Sequence, residues 1–139
     1  MAELPEPADD EQQFTIHAYM DTHLSFKNLT VVYTNNLVSV ENSIHTMEQL
    51  LSFDQYKVVG FDLEYTSGRT GHDQKVIVAQ LRMVDYVFVY HYCLAIRSCN
   101  RFTRFVNNPD YIFGVMDTTN DEYVLKTMDL SYRNLVDIQ

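Results

Sequence analysis

Apolar and polar positions alternate along Phe14 to Tyr19 and, less regularly, from Leu24 to Tyr33, with the polar Asp21-Thr-His23 between the two runs. Aromatic and β-branched runs about a polar break predict a β-hairpin, which Asn35-Asn36 ends. The period then lengthens. Ile44, Met47, Leu50 and Leu51 recur at helical intervals, with His45, Glu48 and Gln49 on the other side, which predicts a helix capped by Asn42 or Ser43. Val58 to Phe61 follow as a block of apolar or small residues, after which Asp62 and Glu64 interleave with Leu63. This is the pattern of a central strand whose end carries two acids. Lys75 to Leu81 and Tyr86 to Tyr92 read as two more strands about a turn at Met83 to Asp85, an antiparallel hairpin that completes a meander.

Ile96 to Val106 places Cys99, Phe102, Phe105 and Val106 on one helical face and Arg97, Arg101 and Arg104 near the opposite one, stopping before Asn107-Asn108-Pro109. Tyr111 to Met116 reads as a strand. Thr119 or Asn120 caps a short helix reaching about Met128, and Leu135 to Ile138 begins a last strand. No internal repeat interrupts this alternation.

The chain's 139 residues suit one domain with a single core, and 46% hydrophobic residues with few glycines and prolines place it among folded chains. Residues 1–13 are acidic with two prolines and read as a disordered tail ahead of one domain over 14–139. A net charge of −9 opposes non-specific binding to a phosphate backbone, which Lys and Arg drive by releasing counterions. Cys93 and Cys99 lack metal-ligand spacing and read as reduced thiols of a nuclear or cytoplasmic protein. No apolar run approaches the roughly 20 residues that span a bilayer, so a membrane is not expected as a partner.

The candidate chemistry lies in Lys57 to Gly68. Strand side chains alternate faces, so Asp62 and Glu64 point the same way, roughly 7 Å apart, while Val59, Phe61 and Leu63 point the other. Two acids at the end of a core strand call for a divalent cation, a basic partner or exposure. Val59-Gly-Phe-Asp-Leu-Glu-Tyr65 resembles the first motif of the 3′-to-5′ exonucleases of the DEDD superfamily, particularly the Werner-syndrome-protein-like branch. Ala79-Gln80-Leu81 and Pro109-Asp-Tyr-Ile-Phe-Gly-Val115 are similar to the same branch, and the resemblance runs from about Leu24 to Ile138.

That resemblance implies an α/β fold: a ribonuclease-H-like mixed sheet with an antiparallel meander and flanking helices, here with the C-terminal helices missing. It implies a site in which four carboxylates hold two Mg2+ or Mn2+ ions, one generating the attacking hydroxide and the other stabilising the leaving oxygen. Asp62 and Glu64 map to the first two ligands. Asp121 is the best match to the third, with Asp117 as competitor. Tyr65, His72 of the polar loop Ser67 to Gln74, and Lys75 directly after that loop fall where the resemblance implies that a nucleic-acid strand would enter. The fourth ligand and base, expected as Tyr or His four residues before Asp on a later helix, has no match. Tyr132 and Asp137 are five apart, and His17 to Asp21 has the letters on an N-terminal strand.

Two functional readings follow. One is a truncated exonuclease-like domain, catalytically weak or inactive, that binds a protein or nucleic-acid partner. The missing helices would leave a sheet face uncovered for a protein partner or a second copy of the chain. The other is an active metal-dependent 3′-to-5′ exonuclease on DNA or RNA. The arginine row of the second helix reads as a solvated face or a phosphate contact. The tyrosines of the strands read mostly as packing, with base stacking as the sharper alternative.

Overall fold

The computed structural model describes residues 13–22, 27–65, 76–92, 99–115, 125–126, 128, 130 and 135–137. Its elements are β1 (Thr15–Thr22), β2 (Lys27–Thr34), α1 (Leu37–Ser52), β3 (Val58–Tyr65), β4 (Val76–Arg82), β5 (Tyr86–Tyr90), α2 (Asn100–Val106), β6 (Ile112–Val115) and β7 (Leu135–Asp137). The strands form one mixed sheet in the order β1-β2-β5-β4-β3-β6-β7. β2 runs parallel to β5, β3 to β6 and β6 to β7, while β1–β2, β4–β5 and β3–β4 are antiparallel. Five strands therefore point one way, and β1 and β4 return against them. This is the expected α/β sheet with its meander β3-β4-β5.

The hairpin is longer than expected. β1 continues through Asp21 and Thr22, which pair with Asn28 and Lys27, because the ladder satisfies backbone groups that polar side chains do not forbid. The first helix starts at Leu37 rather than at Asn42 or Ser43. Asn36 is the cap: extended at φ −83° and ψ 127°, its Oδ1 accepts a hydrogen bond from the Ser39 N–H at 3.1 Å. The Asn pair that ends the strand thus also starts the helix. Thr34 Oγ1 reinforces this joint by accepting from the Asn36 N–H at 2.9 Å and donating to the Phe14 carbonyl at 2.6 Å. At the other end of α1, Lys57 Nζ donates to the Leu51 carbonyl at 2.8 Å, placing a cation where terminal carbonyls need a partner. The second helix runs from Asn100, with Cys99 as its N-cap and no side-chain cap bond; residues 96–98 of its expected first turn lie outside the described residues. Lys75 likewise lies outside them, and β4 runs one residue past Leu81 to Arg82.

One side of the sheet, the inner face, carries the core. The alternation puts Val32 and Thr34 of β2, Val59, Phe61 and Leu63 of β3, Ala79 and Leu81 of β4, Phe88 and Tyr90 of β5 and Phe113 and Val115 of β6 against the helices. Val40, Ile44, Met47 and Leu51 of α1, and Phe102, Phe105 and Val106 of α2, join the same cluster. Aromatic edges meet across it: Phe113 stands edge-on to Phe61 at 6.2 Å and to Phe105 at 5.7 Å, and Tyr90 to Phe102 at 5.1 Å. Burial, with smaller contributions from Cys99 and Tyr92, pushes the Tyr90 phenol well above its ordinary pKa. Cys99 is buried core, as expected. Among the described residues, no helix is long and apolar enough to cross a membrane.

The opposite, outer face is covered differently. Val87 is buried there, outside the main cluster, while Ile16, Val58, Ile112 and Val136 remain about half exposed.

Candidate metal and nucleic-acid site

Asp62 and Glu64 stand on the outer face near the carboxyl end of β3, both exposed, while Phe61 and Leu63 beside them are 4% and 7% exposed on the inner face. Three apolar anchors of β3 in the core hold the strand's rotation, so the carboxylates cannot turn inward without expelling Val59, Phe61 and Leu63. Asp62 lies opposite Gln80 and Glu64 opposite Val78 on β4, and the pairing register shifts between Glu64 and Tyr65. After Glu64 opposite Val78 the next pair is Tyr65 with Val76, so β4 carries one extra residue there, the signature of a β-bulge, which bends the strand locally.

Around the acids the outer face is low. Gly60 of β3 and Gly114 of β6 are register partners, which leaves a side-chain-free notch one step before Asp62. A methyl group on Gly60 would meet Cβ and the carbonyl oxygen of Arg82 at 3.6 Å, ordinary contact distance. Arg82 therefore stands on this face beside the notch, exposed, one row from Asp62. It is a cation next to the acids that the sequence pattern did not single out.

A second group on the outer face was also not singled out. Phe14, Tyr33 and His91, all half-buried, converge where β1 begins and β2 and β5 end. The Phe14 and Tyr33 rings stack at 5.0 Å and 29°, and His91 lies 5.4 Å from Tyr33 and 5.7 Å from Phe14. Tyr33 Oη and His91 Nδ1 share a hydrogen bond of 3.1 Å, and the His91 N–H donates to the Thr34 carbonyl at 2.9 Å. Burial lowers the His91 pKa, favouring the neutral ring.

The sequence-derived site is only partly brought together. Asp62 and Glu64 share a face as expected. Tyr65 closes β3, but its side chain is outside the described set, as are His72, Lys75, Asp117 and Asp121. Among the described residues no group of three His, Cys, Asp or Glu is placed to hold a metal ion. The pair itself offers hard carboxylate oxygens of the type that Mg2+ and Mn2+ take, so the donor chemistry fits while the described donor number is two. His17 and Asp21 lie on β1, at the sheet edge. Arg101 resolves differently from either expectation. Arg101 Nε lies 3.4 Å from Glu48 Oε1 and its Nη2 lies 3.2 Å from His45 Nδ1, so it ties α2 to α1 on the helical side, across the sheet from the acids. Arg104 is exposed, and Arg97 lies outside the described residues.

No protein-family model matches the chain, and no curated protein matches it significantly. Solved structures do match in fold. The EXD2 exonuclease domain soaked in Mn and GMP matches with a TM-score of 0.64 at 12% identity, over 78% of this chain and 55% of that one. The catalytic core of RRP6 from Trypanosoma brucei gives 0.63 at 15%, over 94% of this chain and 34% of that one. RNase D from Escherichia coli, an exoribonuclease involved in structured RNA processing, gives 0.54 at 15%, over 68% of this chain and 24% of that one. The sheet thus has the ribonuclease-H-like fold seen in these exonuclease neighbours, and this chain spans about half or less of their length.

Proposed function

We propose that this chain is an exonuclease-like domain of the Werner-syndrome-protein-like branch that binds a divalent cation and a nucleic-acid end with little or no turnover. The observation that carries this reading is the placement of Asp62 and Glu64: adjacent same-face positions, exposed, at the carboxyl end of an interior strand of the sheet. Ligand sites of open α/β sheets lie outside the carboxyl ends of the strands. Asp62 and Glu64 would hold Mg2+ or Mn2+, with Asp121 or Asp117 as the added ligand. The bound ion would supply an activated hydroxide and neutralise developing charge on phosphate. The chain's own part is to fix two carboxylates on a rigid strand, with the side-chain-free Gly60 one pleat away.

Among the described residues no third His, Cys, Asp or Glu stands beside the pair; a site lacking a base for water would lose about 10²- to 10⁴-fold in rate, which is the ground of the weak-turnover reading. The alternative is an active exonuclease, favoured by the Mn and GMP soaked into the EXD2 domain of the same fold.

Calorimetric titration with Mn2+ tests the site, and a 3′-labelled single strand incubated with Mg2+ or Mn2+ tests turnover. The proposal expects Mn2+ binding that Asp62→Ala abolishes, with slow or no shortening of the strand. Stepwise shortening at ordinary enzymatic rates, lost in Asp62→Ala, would establish the alternative. Absence of Mn2+ binding at millimolar concentration would remove both.

A further inference from the structure

We infer that Phe14, Tyr33 and His91 form a base-stacking platform for a single-stranded nucleic acid whose end is held at Asp62 and Glu64. The inference rests on the proposed cation site for its choice of ligand and extends it to a second contact region. Three observations carry it.

The first is shared address. Tyr33 pairs with Val89, Val89 with Gln80 and Gln80 with Asp62, so these four side chains lie in one transverse row on the outer face. His91, one residue beyond the Ala79–Tyr90 pair, continues the neighbouring row of Val78 and Glu64. At the usual strand spacing, Tyr33 stands about 14 Å from Asp62 and His91 about 10 Å from Glu64. A stacked strand rising roughly 3.4 Å per nucleotide covers that span in about four nucleotides.

The second is the floor between them. The register positions between the acids and the rings are held by Gln80, Val78 and Val89, all half-buried, so among the described residues no aromatic side chain stands between them. Arg82 on the same face offers a cation for phosphate, while the chain's remaining charge argues for contact through base faces. Stacking tolerates any sequence and needs few cations, which suits a protein of net charge −9.

The third is chemistry. Three planar rings on the surface of the sheet, one of them an imidazole whose burial favours the neutral form, present π-faces without adding charge. The hydrogen bond between Tyr33 and His91 fixes two of the rings relative to each other, which lowers the cost of ordering them on binding.

The experiment measures the anisotropy of fluorescein-labelled oligothymidylates and oligouridylates from two to twelve nucleotides long, with EDTA present to keep the carboxylate site out of the readout. Phe14→Leu, Tyr33→Leu and their double variant preserve apolar volume while removing the rings. The inference expects the double variant to weaken the oligonucleotides roughly 5- to 150-fold per lost stack, with Mn2+ binding measured separately unchanged. Unchanged affinity of the long oligonucleotides, or no binding by the unmodified chain, overturns it. Should the leucine variants fail to fold, histidine-ring NMR of the unmodified protein decides. A ring-current shift of His91 on oligonucleotide addition, with none at His45 across the sheet, supports the platform; equal or absent shifts sink it. Mn2+ titration separates the two ideas. Platform loss with Mn2+ binding intact defeats this inference alone, and ring-dependent oligonucleotide binding with no Mn2+ site defeats the proposed cation reading alone.

Discussion

At the level of single residues, what decides the site is rotation about β3. Leu63 between the two acids is 7% exposed and Phe61 before them 4%, and turning the strand over would cost their burial, about 1.5 to 3 kcal/mol each. The acids are thus held outward by hydrophobic anchors rather than by partners of their own. His91 is governed by the opposite balance. Burial disfavours its charged form and lowers its pKa from 6.5, so the unfolded chain binds this proton more readily than the folded one. The sign follows: His91 contributes stability above about pH 6.5 that is lost as pH falls through the folded pKa. Urea midpoints at about pH 7.5 and about pH 5.5 should show the protein weaker at the lower pH, and His91→Gln should lessen that drop. An equal drop in the variant would assign the acid sensitivity elsewhere.

Among the elements, α1 shows where local reading loses to context. Asn35-Asn36 ends a strand and caps a helix at once, and propensity alone does not say which of Asn36, Asn42 and Ser43 starts the helix. The structure settles it through Thr34 and Asn36, whose side chains close the turn, and through Val40, buried in the first full turn of the helix. Asn36→Ala removes the acceptor for the Ser39 N–H and should cost about 1 kcal/mol, read as a lower urea midpoint at unchanged slope, whereas Asn42→Ala should be near neutral. The same contrast runs through the site. Asp62 and Glu64 were legible because their alternation is local and period two. The Tyr33–His91 contact was not, since it joins residues 58 apart through the parallel pairing of β2 with β5, which no local pattern encodes. Arg101 was misread for a related reason: a charged row on one helix looks solvated until the neighbouring helix supplies Glu48 and His45.

For the molecule as a whole, topology and charge pull in different directions. The sheet order puts the acids, the glycine notch and the aromatic cluster on one face and gives the other to the helices, so a ligand meets a surface with half-exposed Ile16, Val58, Ile112 and Val136 around it. A net charge of −9 meanwhile repels any polyanion approaching that surface. For most nucleic-acid binders, salt weakens association by competing with Lys and Arg; here screening the long-range repulsion is the larger effect, because among the described outer-face side chains Arg82 alone is cationic. Raising ionic strength from about 0.01 M to about 0.15 M shortens the Debye length from roughly 30 Å to roughly 8 Å. The association rate of a single-stranded oligonucleotide, followed by stopped-flow anisotropy, should therefore rise with salt, by up to roughly 10-fold. A rate that falls with salt would mean that a basic surface steers the encounter, and the platform would then have to work beside a phosphate-binding patch that the described residues do not contain.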